Sequence, residues 1–441
     1  MTKKTLTDAF EVKQTTVDTK NIKDYDIFPD KSLLDKLRTK IIQNLIDDNI
    51  PSDKQLEQYI NDEIDTVLEG YDLTYLERSH IFNLIQNEIN GYGPITDLLE
   101  NDEITEIMVN GCNEIYIEID GKIVKEESVS FINDTHIVRT IQRIVEPLGR
   151  TIDAANPMVD ARLRDGSRLN AIIPPLSLKG PVLTIRKFNK NLETIEDLLR
   201  KGTLTTYMAR FLEAAVEAKL NIIISGGTGT GKTTLLNILS SFIGSEERII
   251  TIEDAAELKL HQNHVISLET RLTNYEKEGE VTIRDLIKSS LRMRPDRIIV
   301  GEVRGKEAFD MMQAMNTGHE GSLTTIHSNN PIDAINRLET LILMNEMELP
   351  VSAVRGYING AINLIVQIDR MNDGKRKITS ISEVVGMKKD EIELKEIFAF
   401  KQKGVASDGS AIGEFIMYKY TPKVYDKMKR KGIILGDIFP E

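Results

Sequence analysis

The sequence of 441 residues has a single cysteine, Cys112, no tryptophan and only 5% aromatic residues. One thiol cannot form an intramolecular disulfide or a cysteine-rich zinc site, and nothing in the composition indicates an oxidising compartment. We interpret Cys112 as a small buried apolar residue. The chain also lacks any run of about 18 apolar residues, the length that spans a bilayer, and no apolar stretch follows the N-terminus. These absences predict a soluble, cytosolic protein.

Positive charge is in deficit: the chain has 56 lysines and arginines but 69 aspartates and glutamates, for a net charge of −13. Such a surface is not built to coat nucleic acid, so we expect protein partners and no direct nucleic-acid contact. With 40% hydrophobic residues the chain has enough apolar material for large cores. A chain of this length is predicted to divide into two or three domains.

A phosphate-binding pattern lies near the middle of the chain. Residues 226–233 read Gly-Gly-Thr-Gly-Thr-Gly-Lys-Thr, between the apolar run 221–224 and the helix-forming residues 235–239. Strand, glycine loop and helix in this order form a P-loop, where glycines let the backbone curl around polyphosphate held by helix N-terminal N–H groups. Lys232 is expected on the β- and γ-phosphates and Thr233 on Mg²⁺. The expected nucleotide-binding set is Gly226, Gly227, Thr228, Gly229, Thr230, Gly231, Lys232, Thr233 and Thr234.

From about residue 205 onward, short apolar segments alternate with helical ones, which is typical of a parallel α/β sheet with crossover helices. Polar clusters follow several of these segments, and the carboxyl ends of parallel strands meet at one edge of a sheet. We therefore expect the clusters at 253–254, 301–302 and 324–327 to converge on the P-loop. The predicted strands are 221–225, 248–252, 264–268, 297–300, 323–326 and 362–368.

Two carboxylates and two histidines are the candidates for chemistry beside the phosphate. Glu253 is predicted to orient the attacking water and Glu302 to organise the metal shell, although the two roles are exchangeable. His327 is predicted to donate to the γ-phosphate and to sense its loss. His319, in the polar run before that strand, is included among the nucleotide-binding residues. Gly301 stands where many P-loop enzymes have aspartate.

The rest of the chain divides by composition and periodicity. Apolar residues at helical spacing predict an N-terminal helical bundle, whose pattern leaves open whether it packs or docks a partner. Alternating residues and Asp-Gly turns predict an α+β domain with one helix over 137–145. The predicted segments are a flexible arm at 1–31, a helical bundle at 32–90, an α+β domain at 91–189, a polar linker at 190–204, a nucleotide-binding α/β domain at 205–370 and a C-terminal extension at 371–441.

Four motifs together resemble a known family. Residues 226–233, 252–257, 298–302 and 316–329 are similar, in this order, to the Walker A, Asp, Walker B and His boxes of the type II/type IV secretion ATPase superfamily. Segments 106–111, 291–297 and 313–319 resemble its tight-adherence (Tad/Flp) pilus assembly branch. The resemblance runs from about Gly91 to about Phe400, and the loop 274–280 is more acidic than is typical of that branch.

The resemblance implies a homohexameric ring of RecA-like ATPase domains, each preceded by a PAS-like α+β domain, with ATP and Mg²⁺ between the two. It implies a cytoplasmic protein, peripheral at the membrane, that acts on an inner-membrane platform protein to power pilus assembly or protein secretion. Closure of one domain on the other would be the power stroke. Arg168 and Arg186 are the arginines expected to neutralise the transferred phosphoryl group. Two alternatives remain: a conjugation or DNA-uptake ATPase, and a nucleotide-gated regulatory binding protein.

Overall fold

The computed structural model describes residues 40, 53–69, 74–119, 121–188, 193–271, 279–344, 349–407 and 409–439. They form two compact units, the first drawn from residues 1–119 and 123–187 and the second from residues 120–122 and 188–441. The predicted arm at 1–31, the first helix of the predicted bundle and most of the acidic loop 274–280 lie outside the described residues. In the described part of the chain, no helix has the length and apolar character needed to cross a bilayer.

The first unit is built on a six-stranded antiparallel sheet with strand order β3-β2-β1-β6-β5-β4. The predicted hairpin at residues 165–166 is confirmed, and it joins β4 to β5. The predicted helix at 137–145 is also confirmed; Asn133 caps its start by accepting from the His136 amide. The elements are α1 (Asp53–Val67), α2 (Tyr75–Asn90), α3 (Thr96–Glu100), β1 (Ile104–Val109), β2 (Ile115–Ile119), β3 (Lys122–Glu126), α4 (Asp134–Val145), β4 (Met158–Arg162), β5 (Arg168–Ile172) and β6 (Val182–Arg186).

Cys112 is half-buried at the margin of the core of the first unit, not enclosed in it as its residue type suggested. Its thiol donates to Asp134 Oδ1 at 3.3 Å. Burial raises the pKa of the Cys112 thiol to about 11, and the neighbouring Asp134 carboxylate adds to this. The thiol is therefore protonated and poorly nucleophilic at neutral pH.

The second unit is an α/β fold around a mixed nine-stranded sheet, ordered β15-β14-β13-β12-β7-β11-β10-β8-β9. Strands β12, β7, β11, β10, β8 and β9 run parallel, and each corresponds to one of the six predicted strands. The elements are α5 (Ile195–Arg200), α6 (Thr206–Glu217), β7 (Ile222–Gly226), α7 (Lys232–Ser240), β8 (Ile249–Glu253), β9 (Val265–Glu269), α8 (Ile283–Ser290), β10 (Arg297–Val300), α9 (Glu307–Asn316), β11 (Leu323–His327), α10 (Pro331–Leu343), α11 (Val351–Ala361), β12 (Leu364–Arg370), β13 (Arg376–Lys388), β14 (Glu391–Val405), β15 (Ala411–Met417) and α12 (Val424–Arg430).

The central parallel strands are covered on both faces, and β7, β8 and β10 are buried along their whole length, which explains why these strands are mostly apolar. In β7, Ile222 and Ile224 belong to the core on one face with α6 and α7. Ile223 belongs to the core on the other face, with α8 to α11. Glu253 and His327 stand at the carboxyl ends of β8 and β11, where the candidate site lies.

Residues after 371 extend the same sheet. Strands β13, β14 and β15 pair antiparallel in succession onto β12. The buried Glu383 of β13 accepts from Tyr420 Oη and from the Val424 amide, both at 2.6 Å, and so fastens the segment that leads into α12. The segment predicted as a C-terminal extension at 371–441 is therefore an integral part of the sheet of the second unit.

The predicted linker at 190–204 contains the helix α5. In α5, Thr194 and Asp197 form a reciprocal capping box. Leu198 and Leu204 are 5% and 3% exposed and lie in the core of the second unit. The polar composition of the segment concealed this helix because only one of its faces is apolar. Residues 189–192 are outside the described part of the chain.

Candidate nucleotide-binding site

The P-loop connects the end of β7 to the start of α7, as its sequence predicts. Gly229 and Gly231 have φ angles of 69° and 94°, in the left-handed region that favours glycine. Gly226 is required by close packing, since a Cβ there would lie 2.3 Å from the Ile368 carbonyl oxygen. Lys232 Nζ donates to the Gly227 carbonyl at 2.8 Å, and Thr230 Oγ1 donates to the same oxygen at 2.9 Å. The loop therefore has the curvature and the lysine that polyphosphate binding requires.

Glu253 ends β8 and is almost fully buried, with 3% of its surface exposed. Its Oε1 accepts from the amides of Glu257 at 3.0 Å and Leu258 at 3.2 Å. The carboxylate thus shapes the loop that follows the strand. Gly301, at the end of β10, faces it: a Cβ on Gly301 would lie 2.9 Å from Glu253 Cγ. An aspartate at 301 would displace Glu253, which explains the glycine at this position.

Glu302 is less buried and belongs to a charged cluster at the same edge. Arg304 Nη2 donates to Glu302 Oε2 at 2.6 Å, while Arg304 Nη1 lies 3.6 Å from Asp254 Oδ2. The hydrogen bond that Arg304 donates to Glu302, with the charges of the neighbouring acids, raises the pKa of Arg304. Carboxylate and hydroxyl oxygens such as those of Glu302 and Thr233 are the donors that Mg²⁺ prefers, so the residues fit that ion.

The two histidines lie at opposite ends of the same strand, β11. His327 ends β11 directly beside Gly226, its register partner on β7. His319 precedes β11, whose first residue Leu323 pairs with Ile222 at the start of β7. His319 therefore lies apart from the P-loop, and the nucleotide-binding role expected for it is not supported by its position.

Arg168 and Arg186 belong to the first unit, where they are direct cross-strand partners on β5 and β6. Arg162 on β4 is in turn the partner of Arg168. Three guanidinium groups therefore share one row on one face of the sheet. Glu106 on β1 is the next partner of Arg186, so the row of three cations and one acid carries a net positive charge that suits an anion.

The sequence reasoning missed two more arginines, Arg370 at the end of β12 and Arg376 at the start of β13. They lie against the P-loop glycines of the same unit. The available signal was the turn Asn372-Asp373-Gly374 directly after the last predicted strand, which indicates a hairpin at the nucleotide edge.

Comparison with known proteins identifies the family. The profile of the type II/IV secretion system proteins matches residues 88–405. The chain belongs to the type II/IV secretion system ATPase superfamily. The match includes the P-loop, both carboxylates and both histidines of this secretion ATPase.

Two relatives agree with the family assignment of this chain. A putative conjugal transfer protein of Mycobacterium tuberculosis is 32% identical over 340 residues, which span 76% of this chain and 95% of the relative. The type IV secretion system protein VirB11 of Bartonella henselae is 31% identical over 330 residues, or 65% of this chain and 90% of the relative. The crystal structure of the VirB11 ATPase of Brucella suis in complex with sulphate is 27% identical and covers 66% of this chain and 95% of that one, with a TM-score of 0.37.

Proposed function

We propose that this protein is a hexameric ATPase motor of RecA-like type that hydrolyses ATP to power pilus assembly or protein secretion. The observation that carries the proposal is the convergence at one sheet edge of the P-loop, Glu253, Glu302 and His327, each on a different strand end. A passive nucleotide switch has no need for carboxylates beside the phosphate, whereas hydrolysis requires a group that activates water. We place the motor at the cytoplasmic face of the inner membrane, acting on a platform protein.

The residues divide the work as follows in this proposal. Lys232 and the loop amides bind the β- and γ-phosphates, and Thr233 and Glu302 would hold Mg²⁺, which neutralises charge that develops on the phosphoryl group. Glu302 polarises the attacking water. Glu253 is a positioning residue because its carboxylate already accepts two loop amides. Glu302 thus takes over the water-activating role first expected for Glu253 and keeps its expected metal role. His327 donates to the γ-phosphate and reports its release.

Arginines of the first unit complete the proposed mechanism. The row formed by Arg162, Arg168 and Arg186 concentrates positive charge on one face of a sheet. A phosphoryl group in transfer carries negative charge that guanidinium groups stabilise through paired hydrogen bonds. We propose Arg168 and Arg186 for this role, with the smaller unit acting as the PAS-like domain implied by the resemblance.

The direct test is ATP binding and phosphate release by Lys232→Ala. The variant should lose measurable turnover and bind ATP much more weakly, because the lysine is the charge that contacts the transferred phosphate. Lys431→Ala, which removes an exposed lysine elsewhere in the second unit, is the matched control and should behave as the wild type. Unchanged hydrolysis by Lys232→Ala would remove the nucleotide site from the proposal. A single burst without steady phosphate release by the wild type would favour a nucleotide-gated binding protein.

A conjugation or DNA-uptake ATPase is the second candidate. The observation in its favour is that a relative matched over 95% of its length is described as a putative conjugal transfer protein. The net charge of −13 gives no support to direct DNA contact. The segments 106–111, 291–297 and 313–319 favour the tight-adherence pilus branch. Phosphate release measured with and without single-stranded DNA at physiological salt separates the two, since only a DNA-handling motor should be stimulated.

A further inference from the structure

The turn between β12 and β13 lies against the outer side of the P-loop. The Cβ position of Gly231 is 3.1 Å from Arg376 Cδ and 3.4 Å from Arg376 Nε. The Cβ position of Gly229 is 3.9 Å from Arg370 Nη1. Together with the contact of Gly226 and the Ile368 carbonyl, these distances place the hairpin along the whole glycine loop.

The two arginines are held together without a neutralising acid. Arg370 and Arg376 are direct cross-strand partners, an arrangement in which like charges repel. Arg376 Nε is buried and has no hydrogen-bond partner. Arg370 donates from Nη2 to the Gly121 carbonyl. Within the described part of the chain, neither guanidinium group is in an ion pair.

The acidic residues of the hairpin interact with groups other than the two arginines. Asp373 lies 3.8 Å from Lys375 Nζ. Asp369 accepts from Gln367 Nε2 at 2.8 Å and from the Thr379 hydroxyl. Since buried or crowded guanidinium groups are stabilised by an anion, this pair is suited to an anionic ligand at the P-loop.

The strand order indicates which part of a nucleotide the hairpin faces. Strand β7, which carries the P-loop, lies between β12 and β11. Glu253, Glu302 and His327 end β8, β10 and β11, all on the β11 side. The terminal phosphate and its metal belong with those carboxylates. The opposite, nucleoside end of the molecule must then lie on the β12 side, where the two arginines are.

We propose that Arg376, with Arg370 beside it, binds the nucleotide at its α-phosphate. This inference rests on the proposed function and adds a pair of binding residues on the nucleoside side of the site. A planar guanidinium group presents paired donors to phosphate oxygens, and the buried Nε of Arg376 is positioned in advance. Because the α-phosphate is present in ATP and in ADP, the pair supports binding of both and does not act on the bond that breaks.

The test compares Arg376→Gln with Arg430→Gln, which alters an exposed arginine of the same unit that bonds only a backbone carbonyl. Dissociation constants for ATP and ADP and kcat at saturating ATP are measured for each. Arg376→Gln should weaken both nucleotides by the same factor, about tenfold or more, with kcat within about twofold. Arg430→Gln should change none of these. Arg376→Lys should recover only part of the affinity, since it restores charge without the planar fork.

Unchanged affinities in a folded Arg376→Gln protein would overturn the proposal, and so would a loss confined to ATP, which would assign the arginine to the γ-phosphate. If circular dichroism shows that Arg376→Gln does not fold, the exposed Arg370→Gln is read by the same criteria. Failure of the wild type itself to bind nucleotide would reject the proposed function, whereas normal binding by the wild type and by Arg376→Gln rejects only this inference.

Discussion

At the scale of single residues, the surroundings of Glu253 and Glu302 separate two glutamates that look equivalent in the sequence. Each follows a short apolar strand. Glu253 is enclosed, packs on Gly301 and accepts from the loop amides. Glu302 is more exposed and is held by the flexible side chain of Arg304. A carboxylate that can exchange a cation for a water or a metal ion is the better candidate for catalysis.

Glu302→Gln should therefore bind ATP nearly as well as the wild type and hydrolyse it at least about 100-fold more slowly, because the amide cannot accept a proton from water. Equilibrium binding of a fluorescent ATP analogue and steady-state phosphate release measure the two quantities. Glu320→Gln, an exposed glutamate paired with Lys427, is the control and should leave both unchanged. If Glu302→Gln turns over normally while Glu253→Gln is inactive, the roles of the two glutamates are the reverse.

At the scale of elements, a buried ion pair connects β10, β11 and α6 at the end of the parallel strands that is opposite the P-loop. Arg297, the first residue of β10, is fully buried and donates from Nε to Glu247 at 2.7 Å. It also donates to the carbonyls of Val216 in the last turn of α6 at 2.9 Å and of Gly321 before β11 at 3.1 Å. Lys219 pairs with the same carboxylate at 2.7 Å. This arrangement fixes the relative positions of α6, β10 and β11.

The Glu247 pair predicts a pH dependence of stability. Burial by itself would raise the pKa of Glu247, but the hydrogen bonds from Arg297 and Lys219 outweigh it and lower the pKa to about 2 from an ordinary 4.5. The folded state therefore gains stability above pH 4.5 that is lost as the pH falls toward 2. Relative to the wild type, Glu247→Gln should lower the free energy of unfolding at pH 7 by about 3 kcal/mol.

Urea unfolding at pH 7 and at pH 3 measures this effect. The difference between wild type and Glu247→Gln should shrink at pH 3, since the carboxylate is protonated in the unfolded wild-type chain at that pH and folding must ionise it. Glu414→Gln removes one partner of an exposed pair with Lys403 and should cost no more than about 1 kcal/mol at either pH. A constant difference between pH 7 and pH 3 for Glu247→Gln would contradict the assigned ion pair.

At the scale of the whole molecule, the chain consists of two units with separate cores, one around the antiparallel sheet and one around the mixed sheet. The P-loop and its carboxylates belong to the second unit. The arginine row belongs to the first. A mechanism that uses both sets requires groups from both compact units of the chain.

We predict a homohexamer in the presence of ATP, observed by sedimentation as a species of about six times the 49.8 kDa chain. Mixing wild-type protein with an excess of Lys232→Ala should depress phosphate release more steeply than the wild-type fraction falls, because inactive subunits enter shared rings. The same excess of Lys431→Ala should leave the phosphate release per subunit unchanged. A monomeric mass together with a strictly proportional loss would contradict the ring.

The sequence alone determined the features that depend on neighbouring residues. The P-loop, the six parallel strands and the hairpin at 165–166 follow from glycine spacing, short apolar runs and turn residues, which act over a few positions. Only the tertiary structure decided that His327 meets the P-loop while His319 does not, that Glu253 packs on Gly301, and that Arg370 and Arg376 flank the glycines. Those outcomes depend on strand order and register, which are set by pairing between residues far apart in the chain and leave no local pattern.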